Sequence, residues 1–452
     1  MLRHLVPPRV AGWLGRWLGR WSGLLPLFLA EMILWLGFGA VLPILPIYFV
    51  DKGVDLFTLG VIMAAWPAAR LVGEPLFGML ADRTPRVPLM VIGLVAAGIF
   101  AVAPIAVHGA EAFIVLRALS GLAASLYDPA ARGYLVDASP RDRRGEAFGL
   151  YSAAQMGGLL LGPAVGGVSA ALLGRLDVVF VLAGLGGFVA ALAVALTVHE
   201  KPRGVSNPTV PRPSLTEIHG ETPGGQERAA EAVFGTGSVE VEVGPPPPIS
   251  LLNRAFLAAV ILNFGAFFAG GTYEVIWSLF MRSKGFGLGF IGFTFALYGL
   301  PVLFISPVVG RLVDRRGSGV FVFVGAAGAV VSGLAYTVAD GPAQFVAIVL
   351  GEASAWALIS PALYAVVALG SPAGRASTAQ GVFGAVGTIG FIVSSLVAGP
   401  LFEVGWQYPF FLFAAVMAAS LVAALAVGGP ALAWRARAGA PDAAEAAAGG
   451  SA

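Results

Sequence analysis

Residues 70–83 read RLVGEPLFGMLADR, and residues 302–315 read VLFISPVVGRLVDR. A shift of 232 positions lays Pro75 on Pro307, Gly78 on Gly310, Asp82 on Asp314 and Arg83 on Arg315. The same shift carries Pro129 to Pro361, so one offset covers two separate stretches without a gap. A constant period of this kind marks an internal repeat, and the repeat decides the architecture. Both stretches end an apolar run in a charged turn. Arg70 and Glu74 stand inside the first run, whereas the offset lands on Val302 and Ser306 in the second. The turn is therefore common to both copies, and the charged pair belongs to one.

Composition fixes the solvent. Of 452 residues, 58% are hydrophobic and 12% charged, against about 25% charged in a soluble domain. The chain reads as an all-α membrane protein. A net charge of +2 implies no nucleic-acid partner, and the lack of cysteine excludes disulfides and thiolate chemistry. No metal and no cofactor are expected. A bilayer span needs about 20 apolar residues. Twelve candidates are present, at 24–50, 56–80, 87–107, 111–136, 146–173, 177–198, 252–281, 289–312, 319–339, 342–369, 376–402 and 407–428. Helices rather than strands are expected, because a helix satisfies its own backbone in lipid. Arginines gather after spans two, four, eight and ten, at Arg83 and Arg86, Arg141 to Arg144, Arg315 and Arg316, and Arg375. Positive loops face the cytoplasm, which puts both termini there.

Five regions follow. Residues 1–23 form a basic cytoplasmic leader, whose Trp13, Trp17 and Trp21 share a helical face. That face reads as an interfacial helix or as an incidental feature of a positive leader. Residues 24–198 form a first six-helix bundle. Residues 199–250 contain seven glutamates, four basic residues and the proline run 245–248. This composition predicts a flexible cytoplasmic linker. Residues 251–430 form a second six-helix bundle, and 431–452 a disordered tail. Parallel six-helix repeats around a central site are a transporter arrangement.

The turn GMLADRTPR resembles the loop 2–3 signature of the major facilitator superfamily, Gly-x-x-x-Asp-Arg-x-Gly-Arg-Arg. Gly78, Asp82, Arg83 and Arg86 match, while Pro85 and Val87 depart from it. Gly310, Asp314, Arg315 and Gly317 form a weaker second copy. Arg117 and Gly121 resemble that family's membrane arginine motif, and Asp137 with Arg143 and Arg144 its loop 4–5. The run GGLLLGPAVGG at 157–167 resembles its antiporter motif. There Gly158, Gly162 and Gly166 are spaced by four, with Pro163 and Gly167 beside them. The resemblance implies the major facilitator fold, gating by the charged turns, proton transfer at Arg117, and membership of the drug–proton antiporter branch. For the glycine run, generic small-residue packing is the alternative reading.

Charges inside spans cost about 2.5–3.5 kcal/mol each on insertion scales. Glu31, Arg70, Glu74, Arg117, Asp128, Arg132, Glu274 and Glu352 are such charges. Arg70–Glu74 and Asp128–Arg132 are i, i+4 neighbours. Asp128–Arg132 is expected to be a self-neutralised structural pair. Arg70–Glu74 is either that or a cavity pair. Glu31 and Glu352 have no charged neighbour within a turn. An unpaired carboxyl in lipid binds and releases a proton near neutral pH, since burial disfavours its charged form. An arginine from another helix is the alternative partner for Glu31. Glu274 is expected near the outer end of its span and within reach of water. The proton-coupling candidates are Glu31, Glu74, Arg70, Arg117, Glu352 and Glu274. Trp35, Phe38, Trp66, Asn263, Phe267, Tyr273, Trp277, Tyr298 and Trp356 are candidates to line a substrate cavity.

These features predict a monomeric, proton-coupled exporter of hydrophobic or amphiphilic small molecules in a bacterial inner membrane. Its partners are the bilayer, protons and a small-molecule substrate. A superfamily member with a sugar, metabolite or lipid as cargo is the alternative. A membrane enzyme or receptor is remote, because no catalytic constellation and no structured soluble domain are legible.

Overall fold

A computed structural model describes residues 21–139, 143–200, 253–370 and 376–429. The leader before Trp21, the linker from residue 201, the tail, Arg141 and Arg375 lie outside the described residues.

Thirteen α-helices are described, with no strand among the described residues. They are α1 (Leu25–Val41), α2 (Leu45–Asp51), α3 (Leu56–Arg83), α4 (Arg86–Val102), α5 (Ala110–Ala138), α6 (Arg144–Leu173) and α7 (Asp177–Thr197). The second half of the chain adds α8 (Arg254–Ser283), α9 (Leu288–Arg316), α10 (Gly319–Ala335), α11 (Pro342–Gly370), α12 (Ala376–Val404) and α13 (Tyr408–Gly428).

Ten of these helices are long and apolar enough to cross a membrane, and α1 with α2, bent by 44°, makes an eleventh. Two of the twelve expected spans depart from a single long helix. The first span breaks at residues 42–44, where Pro43 lacks the amide hydrogen that a continuous helix needs. α10 has 17 residues, about 25 Å of helix, short of the about 30 Å hydrocarbon core.

The 232-residue period extends to the helix ends. α3 starts at Leu56 and α9 at Leu288; α5 starts at Ala110 and α11 at Pro342; α6 starts at Arg144 and α12 at Ala376. Packing repeats with it. α1 lies against α6 and α7 as α8 lies against α12 and α13. α3 lies against α5 as α9 lies against α11, and α4 joins α5 and α7 as α10 joins α11 and α13. The halves meet through α3 on α12 and α6 on α9, two contacts that the offset exchanges.

Glycine sets these approaches. A Cβ on Gly158, Gly162 or Gly166 would run into the backbone of Met32, Leu36 or Ala40, so this face of α6 is the seat of α1. Gly167 faces the other way, onto Leu288 and Gly292 of α9. Gly60 approaches Ser395, and Gly399 approaches Leu56. These junctions between halves lie toward one end, where Arg282 binds Asp51 at 2.7 Å and Lys284 sits 4.3 Å above the Trp406 ring. Asp55 caps α3 at this end through the Thr58 amide at 2.9 Å; hydrogen bonds from the Thr58 hydroxyl and then from its amide hold the Asp55 carboxyl below the usual range. Toward the opposite end, Leu76 and Met79 of α3 and Phe304 and Val308 of α9 are exposed.

Candidate functional site

Four clusters of charged and polar side chains occupy the helix interiors. In the first, Arg70 bridges two acids: Glu74 one turn along α3 and Asp128 of α5 at 2.5 Å. Its guanidinium also lies 4.8 Å from the Trp66 ring centroid, a cation–π contact. Asp128 is thus held chiefly by Arg70, with Arg132 more distant at 3.8 Å. This corrects the expected self-contained Asp128–Arg132 pair; the reason is that Asp128 is buried on α5 toward α3, whereas Arg132 is half exposed.

The second cluster crosses the halves. Arg117 of α5 donates from Nη2 to Glu274 of α8 at 3.0 Å. Both side chains are largely buried, at 9% and 14% exposure. The expectation of a wetted Glu274 is corrected: α8 carries it to the inter-half boundary, where Arg117 takes it up.

The third and fourth clusters are alike. Glu31 is fully buried and accepts from Trp35 Nε1 at 2.9 Å and from Tyr151 Oη at 2.7 Å. Among the described residues no arginine pairs with it, since Arg70 and Arg117 are engaged elsewhere. Glu352 is buried in the same way and accepts from Trp356 Nε1 at 3.3 Å and Tyr336 Oη at 2.8 Å. In each, one oxygen meets an indole four residues along the same helix and the other meets a tyrosine from a different element. Hydrogen bonds to neutral donors satisfy the carboxyl without a counter-charge.

Three cavities lie among these groups. One, of about 100 Å³, lies within the first half and is bordered by Trp35, Phe38, Trp66, Arg70, Arg117 and Asp128. A second, of about 340 Å³, is bordered by Asn263, Phe267, Tyr273, Tyr298 and Trp356. The third, of about 360 Å³, shares Gly270, Tyr273 and Tyr298 with the second. It adds Glu274, Trp277 and Glu352, with Leu42 and Leu159 from the first half. All nine cavity candidates thus border a cavity, divided between the halves. Glu274 and Glu352 face the large third cavity, whereas Glu31 and Glu74 border none of the three. Asn263 is committed to the Phe383 carbonyl at 2.7 Å, and Trp277 donates to Thr294 at 3.0 Å.

The turn residues divide. Arg86 ties the start of α4 to the end of α5 through the Gly133 carbonyl and Asp137. Glu200 accepts from the Arg86 and Val87 amides at 3.1 and 2.9 Å and so caps α4. Asp82, Arg83 and Arg315 are exposed. The side chains of Asp314 and Arg144 lie outside the described residues. A Cβ on Gly78 would meet only Pro129 at 3.9 Å, and one on Gly310 nothing within 4 Å.

Tyr151 and Tyr336 were not legible as site residues. The i, i+4 spacing of each glutamate and its tryptophan was available in the sequence; nothing local marks which tyrosine, 120 residues away for Glu31, completes the set.

The sequence pattern of the Major Facilitator Superfamily matches residues 27–394 and 259–448. The quinolone resistance protein NorA of Staphylococcus aureus (strain Mu50) is 26% identical over 263 residues, which are 57% of this chain and 58% of NorA. The chain thus spans a little over half the length of NorA. Multidrug resistance protein 1 of Bacillus subtilis (strain 168) is 25% identical over 413 residues, 88% of this chain and 94% of the relative. Among solved structures, a bacterial homolog of the human lysosomal transporter Spinster, in an inward-facing and unoccupied conformation, superposes with a TM-score of 0.64. It is 19% identical, over 92% of this chain and 95% of that one. A POT family transporter in complex with 5-aminolevulinic acid gives 0.69 at 14% identity, over 91% and 96%. The chain belongs to the Major Facilitator Superfamily.

Proposed function

We propose that this member of the superfamily exports hydrophobic or amphiphilic small molecules across a bacterial plasma membrane by proton antiport. It acts as a monomer of two six-helix bundles, 24–198 and 251–430. Twelve spans, with α1–α2 and the short α10 each counted as one, leave both termini in the cytoplasm. The end carrying Asp82 is then cytoplasmic, and the molecule is open toward it.

The observation that carries this reading is the third cavity, whose aromatic wall contains two buried carboxyls, Glu274 and Glu352. Aromatic faces accept flat apolar or cationic substrates, and few free amides are present to bind a sugar. The Arg117–Glu274 pair links the proton to the motion. A proton taken by Glu274 removes the charge that holds Arg117, which frees α5 from α8 and lets the halves rock. Glu31 and Glu352 are further proton carriers, each released from water by burial and held by neutral donors. Relatives that carry the names quinolone resistance and multidrug resistance support a drug-like cargo.

The test is transport by purified protein in vesicles. An inward-acid gradient should drive uptake of an amphiphilic dye into inverted molecules, and Glu31→Gln, Glu274→Gln or Glu352→Gln should each weaken that response. Uptake indifferent to the gradient in wild type would sink the coupling.

A further inference from the structure

Trp66 of α3 and Tyr298 of α9 are equivalent under the 232-residue offset, yet their surroundings differ. The Trp66 ring is pinned on three sides. Arg70 lies 4.8 Å from its centroid, Arg117 6.0 Å and the Phe38 ring 5.0 Å. These four residues all border the first-half cavity, which encloses only about 100 Å³.

The second half lacks each of these pins. The offset takes Phe38, Arg70 and Arg117 to Gly270, Val302 and Val349. An aromatic ring and two guanidinium groups are thus missing around Tyr298, and the space is open. Gly270 and Tyr298 border both second-half cavities, Val302 the one of about 340 Å³ and Val349 the one of about 360 Å³. Each of the two exceeds the about 300 Å³ at which drug-sized pockets begin.

The two tyrosines shared by these cavities are held unequally. Tyr273 meets the rings of Trp277, Tyr336, Phe410 and Phe413, with centroids 5.7, 6.2, 6.2 and 5.6 Å away. Tyr298 is half-buried and, among the described residues, makes no hydrogen bond, ring contact or cation–π contact. Tyr273 is therefore a fixed post where the cavities join, and Tyr298 is free to change rotamer beside it. The cavities also differ in chemistry. Glu274 and Glu352 border the larger one, whereas no charged side chain borders the other among the described residues.

We propose that Tyr298 determines the length of cargo this chain accepts: its ring divides the two cavities for a short molecule and turns aside for one long enough to fill both. An elongated cargo then lies with a polar or charged end beside Glu274 and Glu352 and an uncharged aromatic end beside Phe267 and Trp356. Aromatic walls suit such an end because they stack on it without demanding a counter-charge. The first half cannot do the same, since the ring equivalent to Tyr298 is clamped by Phe38 and two arginines. The inference rests on the proposed export of amphiphilic molecules and assigns their length selection to one side chain.

The test is equilibrium binding to the full-length protein in nanodiscs, with no proton gradient, so that the result does not depend on coupling. Two cations are compared: tetraphenylphosphonium, which is compact, and a bisbenzimide dye, which is elongated. Tyr298→Ala should move the ratio of their dissociation constants about tenfold in favour of the long dye. Tyr298→Phe, which keeps the ring, should return the ratio to that of wild type. Gly270→Phe rebuilds the pin found in the first half and should move the ratio the other way. A Cβ at Gly270 meets only the Phe391 ring, at 3.5 and 3.6 Å, so the backbone need not shift. The two Tyr298 variants suffice where Gly270→Phe does not fold. A ratio that Tyr298→Ala leaves at the wild-type value, or that Tyr298→Phe shifts as far as Tyr298→Ala does, overturns the role of Tyr298. A folded wild type that binds neither cation overturns the amphiphile reading itself.

Discussion

The two halves share a scaffold and divide the chemistry. Glu31 and Tyr151 are joined by a hydrogen bond in the first half; the same offset lands on Asn263 and Phe383, which are joined by one in the second. The contact is kept, but the acid is present once. Conversely, Glu352 with Tyr336 and Trp356 stands where the first half has Ser120, Pro104 and Ala124. Each half therefore carries one carboxyl clamped by an indole and a phenol, at non-equivalent positions. Glu352 faces the large cavity, whereas Glu31 is sealed within its own half. The lesson is that helix ends and contacts obey the repeat, while buried charge breaks it, and the breaks are where the halves can do different things.

The largest effect should come from the buried ion pair that crosses the halves, Arg117–Glu274. Glu274→Ala leaves a buried guanidinium that cannot lose its charge, an expected cost of about 3–5 kcal/mol, read as a lower unfolding temperature in detergent. Arg117→Ala should cost less, because the remaining carboxyl can take a proton. Equal, negligible costs would mean that the pair does not join the halves.

Next comes the packing contrast. Gly166→Ala drives a Cβ into the Ala40 backbone and should destabilise by about 1–3 kcal/mol. Gly310→Ala meets open space and should stay within about 0.5 kcal/mol. A reversal of that order in thermal unfolding would contradict the described helix contacts.

Smaller again are the phenols. Tyr336→Phe and Tyr151→Phe each remove one hydrogen bond, about 1 kcal/mol. Their readouts should separate: Tyr336→Phe alters dye affinity several-fold, and Tyr151→Phe alters only gradient-driven rate. Matching effects on affinity would erase the distinction between the two acids.

The smallest effect is expected at the exposed end. Asp51→Asn should cost at most about 1 kcal/mol and less in high salt. Asp55 offers a pH contrast there. Its carboxyl sits below the usual range in the folded protein, so its capping contribution is present at neutral pH and fades as pH falls through that lowered value. An Asp55→Asn variant should flatten that part of the acid unfolding curve.

The scaffold was legible because apolar length and a 232-residue period are properties of the chain itself. Pro43 was visible too, yet a 27-residue apolar run read as one span hid the bend. Pairings were harder. Arg70–Glu74 followed from helical spacing, but Asp128 chose between Arg70 and Arg132 by burial, which spacing does not reveal. Arg117 and Glu274 are 157 positions apart and meet only because α5 and α8 face one boundary.

Gradient-driven transport in vesicles is the most direct measurement. Driven by an interior-acid gradient, wild type in inverted orientation should accumulate an amphiphilic dye, and Glu352→Gln should lose about tenfold of that rate. Dye movement that is the same with and without the gradient, in both proteins, would contradict the account.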